Sequence, residues 1–319
     1  MKIKLVTFAP HPNFGTCLQS YALNKILRDL GHDVEFIYNG RENPKWGIKD
    51  YTRYLIKSIL PAKIVQKIRE KRETTATQST QQPPVVLSLP NSKFRYYLSK
   101  MPFYNNVYKT FKCRTLQWKK VWEFTFEDGN YNMKRLYTHD QYDEVVKDAD
   151  VFITGSDQIW NPYCGGFNPM MFLEFAGEKK RIAYSSSIAR PEFPMNVRER
   201  AKKDLKKFKY IGIREQSSVG MLNDLLDRDD VRAVVDPTYL LTKEEWMDFA
   251  NRANVEFELP KKYIFCYYIG DRYRDYSAMV DDVKSQTGIL NVITADCTNG
   301  HVNYGDGILY KDGGPYEFV

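Results

Sequence analysis

Four hydrogen-bonding side chains and one indole lie within six consecutive positions of the chain, directly after a short apolar run and a glycine. The apolar run, Val151–Thr154, has the composition of a buried strand. Ligands bind at the carboxyl ends of strands in an open α/β sheet, so this placement predicts a binding site. The residues are Gly155, Ser156, Asp157, Gln158, Trp160 and Asn161.

A cationic side chain follows another predicted strand. Arg214 comes directly after the apolar run Tyr210–Ile213, which puts it at the same predicted sheet edge as Asp157. A guanidinium group at that edge offers two parallel hydrogen bonds to a carboxylate or a phosphate. The two positions together predict a site for an anionic substrate.

The first predicted strand–helix loop carries residues suited to an anion and a histidine. Asn13, Gly15 and Thr16 precede a helix start, where backbone N–H groups and the helix dipole favour negative charge. His11 lies between two prolines in this loop and is the best histidine candidate for the site, with His301 second. No dinucleotide-binding, Walker, metal-ligand or Gly-x-Ser-x-Gly pattern occurs, which favours binding or chemistry without a metal.

Structural roles compete with each of these interpretations. Asp157 could cap a helix, because Gly-Ser-Asp is ordinary turn sequence. Arg214 could pair with Glu215 or Asp236 inside the protein. The first loop could be a plain tight turn, with Gln19 hydrogen-bonded inside the helix start.

The elements that must position these residues alternate between strand and helix, which predicts a parallel α/β sheet. A first unit covers residues 1–240 and a second, beginning after a break near residues 238–262, covers 241–319. The predicted elements of the first unit are strand Ile3–Phe8, helix Cys17–Leu30 stopped by Gly31, strands Asp33–Tyr38, Val151–Thr154 and Arg181–Ser185, helix Asn196–Phe208, strand Tyr210–Ile213, helix Gln216–Leu226 and strand Ala233–Val235. Those of the second unit are strand Tyr263–Tyr268, helix Tyr276–Gln286 and strand Leu290–Thr294.

Residues 41–140 interrupt this alternation and are predicted to form a helical, basic arm with a low-complexity stretch at 73–92. Between Arg41 and Trp122 lie 18 of the 47 Lys and Arg residues but only 4 of the 40 Asp and Glu residues. Because the positive charge is confined to the arm, a nucleic-acid groove in the main fold is not predicted. The arm suits an anionic lipid surface or a lipid-diphosphate carrier. A solvated arm without a partner is the alternative.

Composition places the chain among globular proteins of a reducing compartment. Of its 319 residues, 43% are hydrophobic and 27% charged, and no apolar run approaches the length of a membrane span. The five cysteines are far apart and form no Cys-x-x-Cys pair, so neither disulfides nor a zinc cluster is predicted. We expect a cytoplasmic protein, with peripheral contact to the inner face of the membrane through residues 41–122.

Four segments together resemble the polysaccharide pyruvyl transferase family, in an order and spacing that fit the whole chain apart from the low-complexity stretch. The Gly-Ser-Asp-Gln-x-Trp element is the most specific. The resemblance implies two Rossmann-like domains similar to the glycosyltransferase-B architecture. It also implies transfer of a pyruvyl group from phosphoenolpyruvate to a sugar or lipid-linked sugar, as a ketal, without a further cofactor. The segments are Asn13–Leu23, Gly155–Asn161, Arg214–Glu215 and Asp236–Leu241.

The demands of this reaction distribute roles over the predicted site. Arg214 is expected to hold the carboxylate or phosphate of the donor, and Asp157 to orient or deprotonate the sugar hydroxyl; these are the two predicted catalytic residues. The remaining predicted residues are expected to bind substrate, with the loop at the first helix start taking an anionic group. They are His11, Asn13, Gly15, Thr16, Gly155, Ser156, Gln158 and Trp160.

The chain departs from the family near its C-terminus. The family's later histidine-containing element has no counterpart before Val319, so the second domain is expected to be cut short and activity of this chain alone is left open. Two other functions compete. One is a nucleotide-sugar glycosyltransferase of the same architecture, although no Glu-x₇-Glu-like pair is present. The other is a non-catalytic module that docks to a membrane or to partner proteins through the basic arm.

Overall fold

The computed structural model describes residues 1–8, 13–38, 89, 91–101, 116–164, 166–255, 257–267, 276–295, 308–310 and 313–319. Its main feature is a seven-stranded sheet in which every neighbouring pair of strands is parallel, with the order β3-β2-β1-β4-β5-β6-β7. The strands are β1 Lys2–Val6, β2 Asp33–Tyr38, β3 Met133–Arg135, β4 Val151–Thr154, β5 Lys180–Ser186, β6 Tyr210–Ile213 and β7 Arg232–Ala233.

Helices and short helical turns connect the strands and cover the sheet. The α-helices are α1 Phe14–Asp29, α2 Lys93–Ser99, α3 Leu116–Trp122, α4 His139–Asp148, α5 Met195–Leu205, α6 Ser217–Leu226, α7 Lys243–Ala250, α8 Ser277–Thr287 and α9 Pro315–Phe318. A π-helical turn Glu123–Glu127 extends α3, and 3₁₀ turns occupy Glu174–Ala176 and Pro237–Leu240.

The core lies on both faces of the sheet, and the strand sequences explain why. All four residues of β4 are buried, as expected for a central parallel strand covered on both sides. Its side chains alternate: Phe152 packs into one apolar cluster, whereas Val151 and Ile153 pack into the other. This two-sided burial explains why the strand reads as an uninterrupted apolar run.

The second α/β unit contains a separate parallel sheet with the order β10-β9-β8. Its strands are β8 Ile264–Tyr267, β9 Val292–Ala295 and β10 Ile308–Tyr310, and α8 connects the first two. The predicted strand–helix–strand unit is therefore confirmed. The ring of Phe318 in α9 stacks on Phe14 at 4.8 Å and packs edge-on against Tyr267 at 4.7 Å, which joins the first turn of α1 to β8. The glycosyltransferase-B relation between the two units stays a prediction.

Helix α1 begins three residues earlier than the apolar pattern predicts. Asn13 caps it, because its side-chain oxygen accepts a hydrogen bond from the Thr16 amide at 3.1 Å. The predicted stop is confirmed, since Gly31 directly follows the C-terminal turn with a left-handed φ of 81°. A cap at Asn13 brings residues 14–16 into the first turn, so Thr16 is presented by a helix and not by a loop.

The C-terminal boundary of the predicted arm was wrong. Strand β3 pairs with β2 as the edge of the main sheet, and Val121 and Phe124 are buried in its core. Three strand residues that include Lys134 and Arg135 carry too little apolar pattern to be recognised from sequence.

Most of residues 41–115, including the low-complexity stretch up to residue 88, lies outside the described residues. In the part of the chain that the structure describes, no helix combines the length and the apolar character needed to cross a bilayer.

Candidate functional site

The strand order reverses between β1 and β4, and two of the predicted site residues meet at that point. From β1 the chain first builds outward to β2 and β3, then returns to place β4 on the other side of β1. Such a switch point opens a crevice at the carboxyl ends of the strands. Across it, the Thr16 hydroxyl donates a 2.6 Å hydrogen bond to Oδ2 of Asp157. The end of β1 and the end of β4 therefore converge at this point.

The turn after β4 is held in a demanding backbone conformation. Asp157 has a left-handed φ of 81°, and its Oδ1 accepts the Gln158 amide at 2.7 Å. Gly155 has φ 119°, and a Cβ atom there would lie 2.1 Å from the carbonyl oxygen of Tyr184. Only glycine fits, because β5 passes too close for any side chain. The turn therefore aims the Asp157 carboxylate at Thr16 at a cost in backbone strain.

Two buried side chains, one directly after β1 and one on α1, hold this turn in place through hydrogen bonds. Gln19 accepts a hydrogen bond from the Ser156 amide at 3.1 Å and donates to the Thr16 carbonyl at 2.9 Å. Thr7 donates to the Ser156 carbonyl at 3.0 Å. The hydrogen bond of Gln19 inside the helix start, which is the structural alternative, is present. The same side-chain amide also connects α1 to the turn after β4. Sequence reasoning missed Thr7, although a polar residue just after a buried strand is a usable signal.

Arg214 forms an ion pair at the same edge of the sheet. Its Nη1 lies 3.1 Å from Oδ2 of Asp236, and the two side chains are 30% and 20% exposed. The structural alternative with Asp236 is thus confirmed, whereas Glu215 accepts a hydrogen bond from Ser187. Because that ion pair is the only side-chain hydrogen bond of Arg214 among the described residues, its other N–H groups remain available.

Asp236 connects Arg214 to the turn after β4. Its Oδ2 also accepts a hydrogen bond from the Ser156 hydroxyl at 3.4 Å, and its Oδ1 accepts the amide and the hydroxyl of Thr238 at 3.0 and 2.9 Å. Both carboxylate oxygens are therefore occupied. Asp157 and Arg214 belong to one polar network along the edge, as the sequence predicted for their positions.

A run of three buried serines, Ser185 to Ser187, lies at the carboxyl end of β5 inside this network. Ser185 has a left-handed φ of 54°, and its hydroxyl lies 3.4 Å from that of Ser156. The Ser187 amide donates to the Asp157 carbonyl at 2.9 Å, and the Ser187 carbonyl accepts the Trp160 amide at 3.1 Å. The loops after β4 and β5 are thereby joined through their backbones, so the position of Asp157 depends on β5 as well as β4.

Trp160 departs from the predicted substrate contact. Its side chain is 1% exposed, its Nε1 donates to the Met171 carbonyl at 3.1 Å, and its ring stacks on Phe172. The indole therefore belongs to the core beneath the turn, because burial satisfies both its apolar ring and its single donor. Gln158 stays partly exposed, and its side-chain oxygen accepts a hydrogen bond from Asn161 at 2.9 Å.

The groups at the start of α1 are already occupied by protein partners. Asn13 takes the Thr16 amide, and the Thr16 hydroxyl is bonded to Asp157, so Asp157 supplies the negative charge next to this helix start. Gly15 is exposed. His11 and His301 lie outside the described residues. Within the described ranges, no group of three or more His, Cys, Asp or Glu is arranged to hold a metal ion.

Cys17, beside the site, is poorly suited to act as a nucleophile. Cys17 is buried in the first turns of α1. Burial, assisted by the negative charge of Asp157, raises the pKa of its thiol to about 12. Since the thiolate is the reactive form, Cys17 stays protonated and inert near neutral pH.

The geometry defines a parallel α/β protein with a carboxylate at its topological switch point and a guanidinium at the carboxyl end of β6, on the same edge of the sheet. The family model described as polysaccharide pyruvyl transferase matches residues 13–287, which include Thr16, the turn after β4, Arg214 and Asp236. The chain belongs to the polysaccharide pyruvyl transferase family. A comparison with curated proteins finds no match.

Proposed function

We propose that this chain transfers a pyruvyl group from phosphoenolpyruvate to two hydroxyls of a sugar in a cell-surface polysaccharide or its precursor, forming a ketal. The observation that carries the proposal is the network at the carboxyl edge of the sheet, which connects Asp157 through Thr16 and Gln19 to Ser156, Asp236 and Arg214. Family membership supports transfer to a saccharide, and the polar groups of the network match the needs of the donor.

Arg214 is proposed to hold the donor. Phosphoenolpyruvate carries a carboxylate and a phosphate, and each matches the fork of N–H groups on a guanidinium. The ion pair with Asp236 fixes the side chain through Nη1 and leaves Nε and Nη2 without partners among the described residues. A half-paired, partly exposed arginine is therefore already oriented for an anion before the anion arrives.

Asp157 is proposed to receive the sugar hydroxyl. Thr16 and the Gln158 amide hold its two oxygens, and the side chain remains partly exposed. A carboxylate fixed in this way can accept the proton of an attacking hydroxyl. Gly15 and Gln158, both accessible beside it, are proposed to contact the substrate.

The reaction balances without a redox partner. A general acid donates a proton to the methylene carbon of phosphoenolpyruvate, which leaves cationic character on the neighbouring carbon. One sugar hydroxyl attacks that carbon and loses its proton, the bond to the phosphate oxygen breaks, and a second hydroxyl closes the ring as it loses its own proton. Asp157 serves the hydroxyl side of this sequence, and Arg214 neutralises charge on the donor.

Titration calorimetry with phosphoenolpyruvate tests the proposal. Arg214→Ala should weaken binding by about 10-fold to 150-fold, because a hydrogen bond to a charged group contributes about 1.5–3 kcal/mol. Arg198→Ala is the matched control, since Arg198 also contacts one carboxylate, that of Glu192 at 3.6 Å, but lies on α5. The control should bind phosphoenolpyruvate within twofold of the unmodified protein.

Two results would overturn the proposal. One is an unmodified protein that does not bind phosphoenolpyruvate; the other is an Arg214→Ala variant with full affinity and full phosphate release in the presence of saccharides. Titration with nucleotide sugars in parallel identifies the glycosyltransferase alternative, which predicts tight nucleotide binding in place of phosphoenolpyruvate binding.

A lipid-linked saccharide is proposed as one form of the acceptor, reached by peripheral contact of the basic segment 41–122 with the inner face of the membrane. Its charge, with 18 basic and 4 acidic residues, supports attraction to anionic lipid. Sedimentation with anionic liposomes at two salt concentrations tests this contact, using as control a variant that lacks residues 41–88 and so keeps the core residues of α3. Equal sedimentation of both proteins would remove this part of the proposal.

A further inference from the structure

An exposed tyrosine and an exposed arginine stand together beside the candidate site without a role in it. Tyr163 is 47% exposed, and the guanidinium carbon of Arg190 lies 4.0 Å from the centre of its ring. Among the described residues this contact is the only side-chain interaction of Arg190, with no hydrogen bond and no carboxylate partner. Stacking uses the flat face of a guanidinium, so its N–H groups still point outward from the edge.

Hydrogen bonds connect the loops that carry this pair to the turn of Asp157. Tyr163 is tied to the turn after β4, because its amide donates to Asn161 at 3.1 Å and Asn161 donates to Gln158 at 2.9 Å. Arg190 lies in the loop after β5, three residues beyond Ser187, which is bonded to the backbone of that turn. The pair therefore lies on the two loops that also hold Asp157 in place.

The chemistry of the pair matches one class of ligand. An exposed aromatic ring offers an apolar surface to the C–H face of a pyranose, as aromatic side chains commonly do in binding sites. An unpaired guanidinium at its edge is suited to a phosphate or a carboxylate. Because the Tyr163 ring and the Arg190 guanidinium are in contact, they favour a ligand in which a sugar ring carries a negatively charged group.

We propose that Tyr163 and Arg190 form a binding subsite for an anionic saccharide, the sugar packing on the tyrosine ring and its phosphate or carboxylate group bonded to the arginine. The subsite rests on the proposed function, since it would hold the acceptor while Asp157 receives the reacting hydroxyl. It selects charged acceptors over neutral ones.

The test compares three probes by saturation-transfer NMR: galactose 1-phosphate, galacturonic acid and methyl galactoside. We expect at least one anionic probe to bind roughly tenfold or more tightly than the neutral one. Arg190→Ala should abolish that difference, and Tyr163→Ala should weaken all binding about fivefold. The probe that loses affinity on Arg190→Ala identifies whether phosphate or carboxylate is the preferred group.

Tyr210→Ala provides the matched control. Tyr210 is also exposed, at 51%, and also has a cation over its ring, Lys180 at 5.4 Å, but it lies at the amino end of β6. Its variant should bind every probe as the unmodified protein does. Melting temperatures of all variants establish that each one is folded before binding is compared.

Equal binding of charged and neutral probes, an absence of saccharide binding, or an equal loss in Tyr210→Ala would each overturn the subsite. Phosphoenolpyruvate affinity, measured on the same samples, separates this failure from that of the proposed function. If Arg190→Ala keeps full phosphoenolpyruvate affinity while the anionic preference is absent, only the subsite is wrong. If the unmodified protein does not bind phosphoenolpyruvate, the proposed function is wrong, whatever the saccharides do.

Discussion

The two ends of the main sheet use the same kinds of charged groups in opposite ways. At the amino end, Lys4 contacts Glu35 at 2.7 Å and Asp148 at 2.6 Å, and Lys2 also pairs with Asp148. These charges neutralise one another. At the carboxyl end, Arg214 has N–H groups without a partner among the described residues, and the neighbouring backbone is strained. Charged residues alone therefore do not indicate a functional site. A better indicator is a charged group with unsatisfied hydrogen-bond donors next to strained backbone.

The largest effect expected at the carboxyl end comes from Gly155→Ala. A methyl group would overlap the Tyr184 carbonyl at 2.1 Å in a backbone region closed to other residues, so we expect a loss of about 3–5 kcal/mol in the free energy of unfolding. Gly129→Ala is the control, because Gly129 has φ 70° but no atom within 4 Å of the new methyl group. It should cost only about 1 kcal/mol. Similar denaturation midpoints for the two variants would contradict the close packing of β5 against the turn.

Asp157→Asn should have the next largest effect, and this effect should be on the turnover rate. The amide keeps the shape of the side chain but cannot accept a proton, so we expect kcat to fall about 100-fold to 1000-fold while phosphoenolpyruvate affinity changes little. Thr16→Val removes the hydroxyl that positions Asp157, so we expect kcat to fall about tenfold. Thr16→Ser keeps a hydroxyl and should retain most of the original kcat. Unchanged phosphate release by Asp157→Asn would remove Asp157 from the reaction.

The parts of this architecture that follow from local pattern were predictable. Strand Val151–Thr154 has the predicted bounds, because a strand buried on both faces is an unbroken apolar run, and strand Tyr210–Ile213 also has the predicted bounds. Strand β3 was missed, since three residues on a sheet edge need no apolar pattern. The shared edge of Asp157 and Arg214 was predictable as well, because each residue directly follows a parallel strand.

The orientation of side chains within the site was not predictable. Trp160 turns inward because Asp157 adopts a left-handed φ and the loop then bonds to Ser187, and neither feature is written in the local sequence. The contact of Gln19 with Ser156 depends on the register between β1 and β4, which tertiary packing decides. The residue types were therefore sufficient to predict which edge of the sheet carries the site. Long-range hydrogen bonds determine which side chains at that edge face a ligand.

The smallest effect, expected at the amino end, completes the comparison. Hydrogen bonds from Lys2 and Lys4 lower the pKa of the Asp148 carboxyl to about 2, below its usual value in an unfolded chain. A carboxyl with a lowered folded pKa stabilises the protein above its unfolded pKa, and this contribution is lost as the pH falls toward the folded value. Asp148→Asn should therefore lower the melting temperature by no more than about 2 °C at pH 7, since exposed ion pairs contribute little. The difference should shrink between pH 5 and pH 3, and phosphate release should be unchanged. A constant difference across that range, or a loss of turnover, would show that the two ends of the sheet are not divided between stability and chemistry.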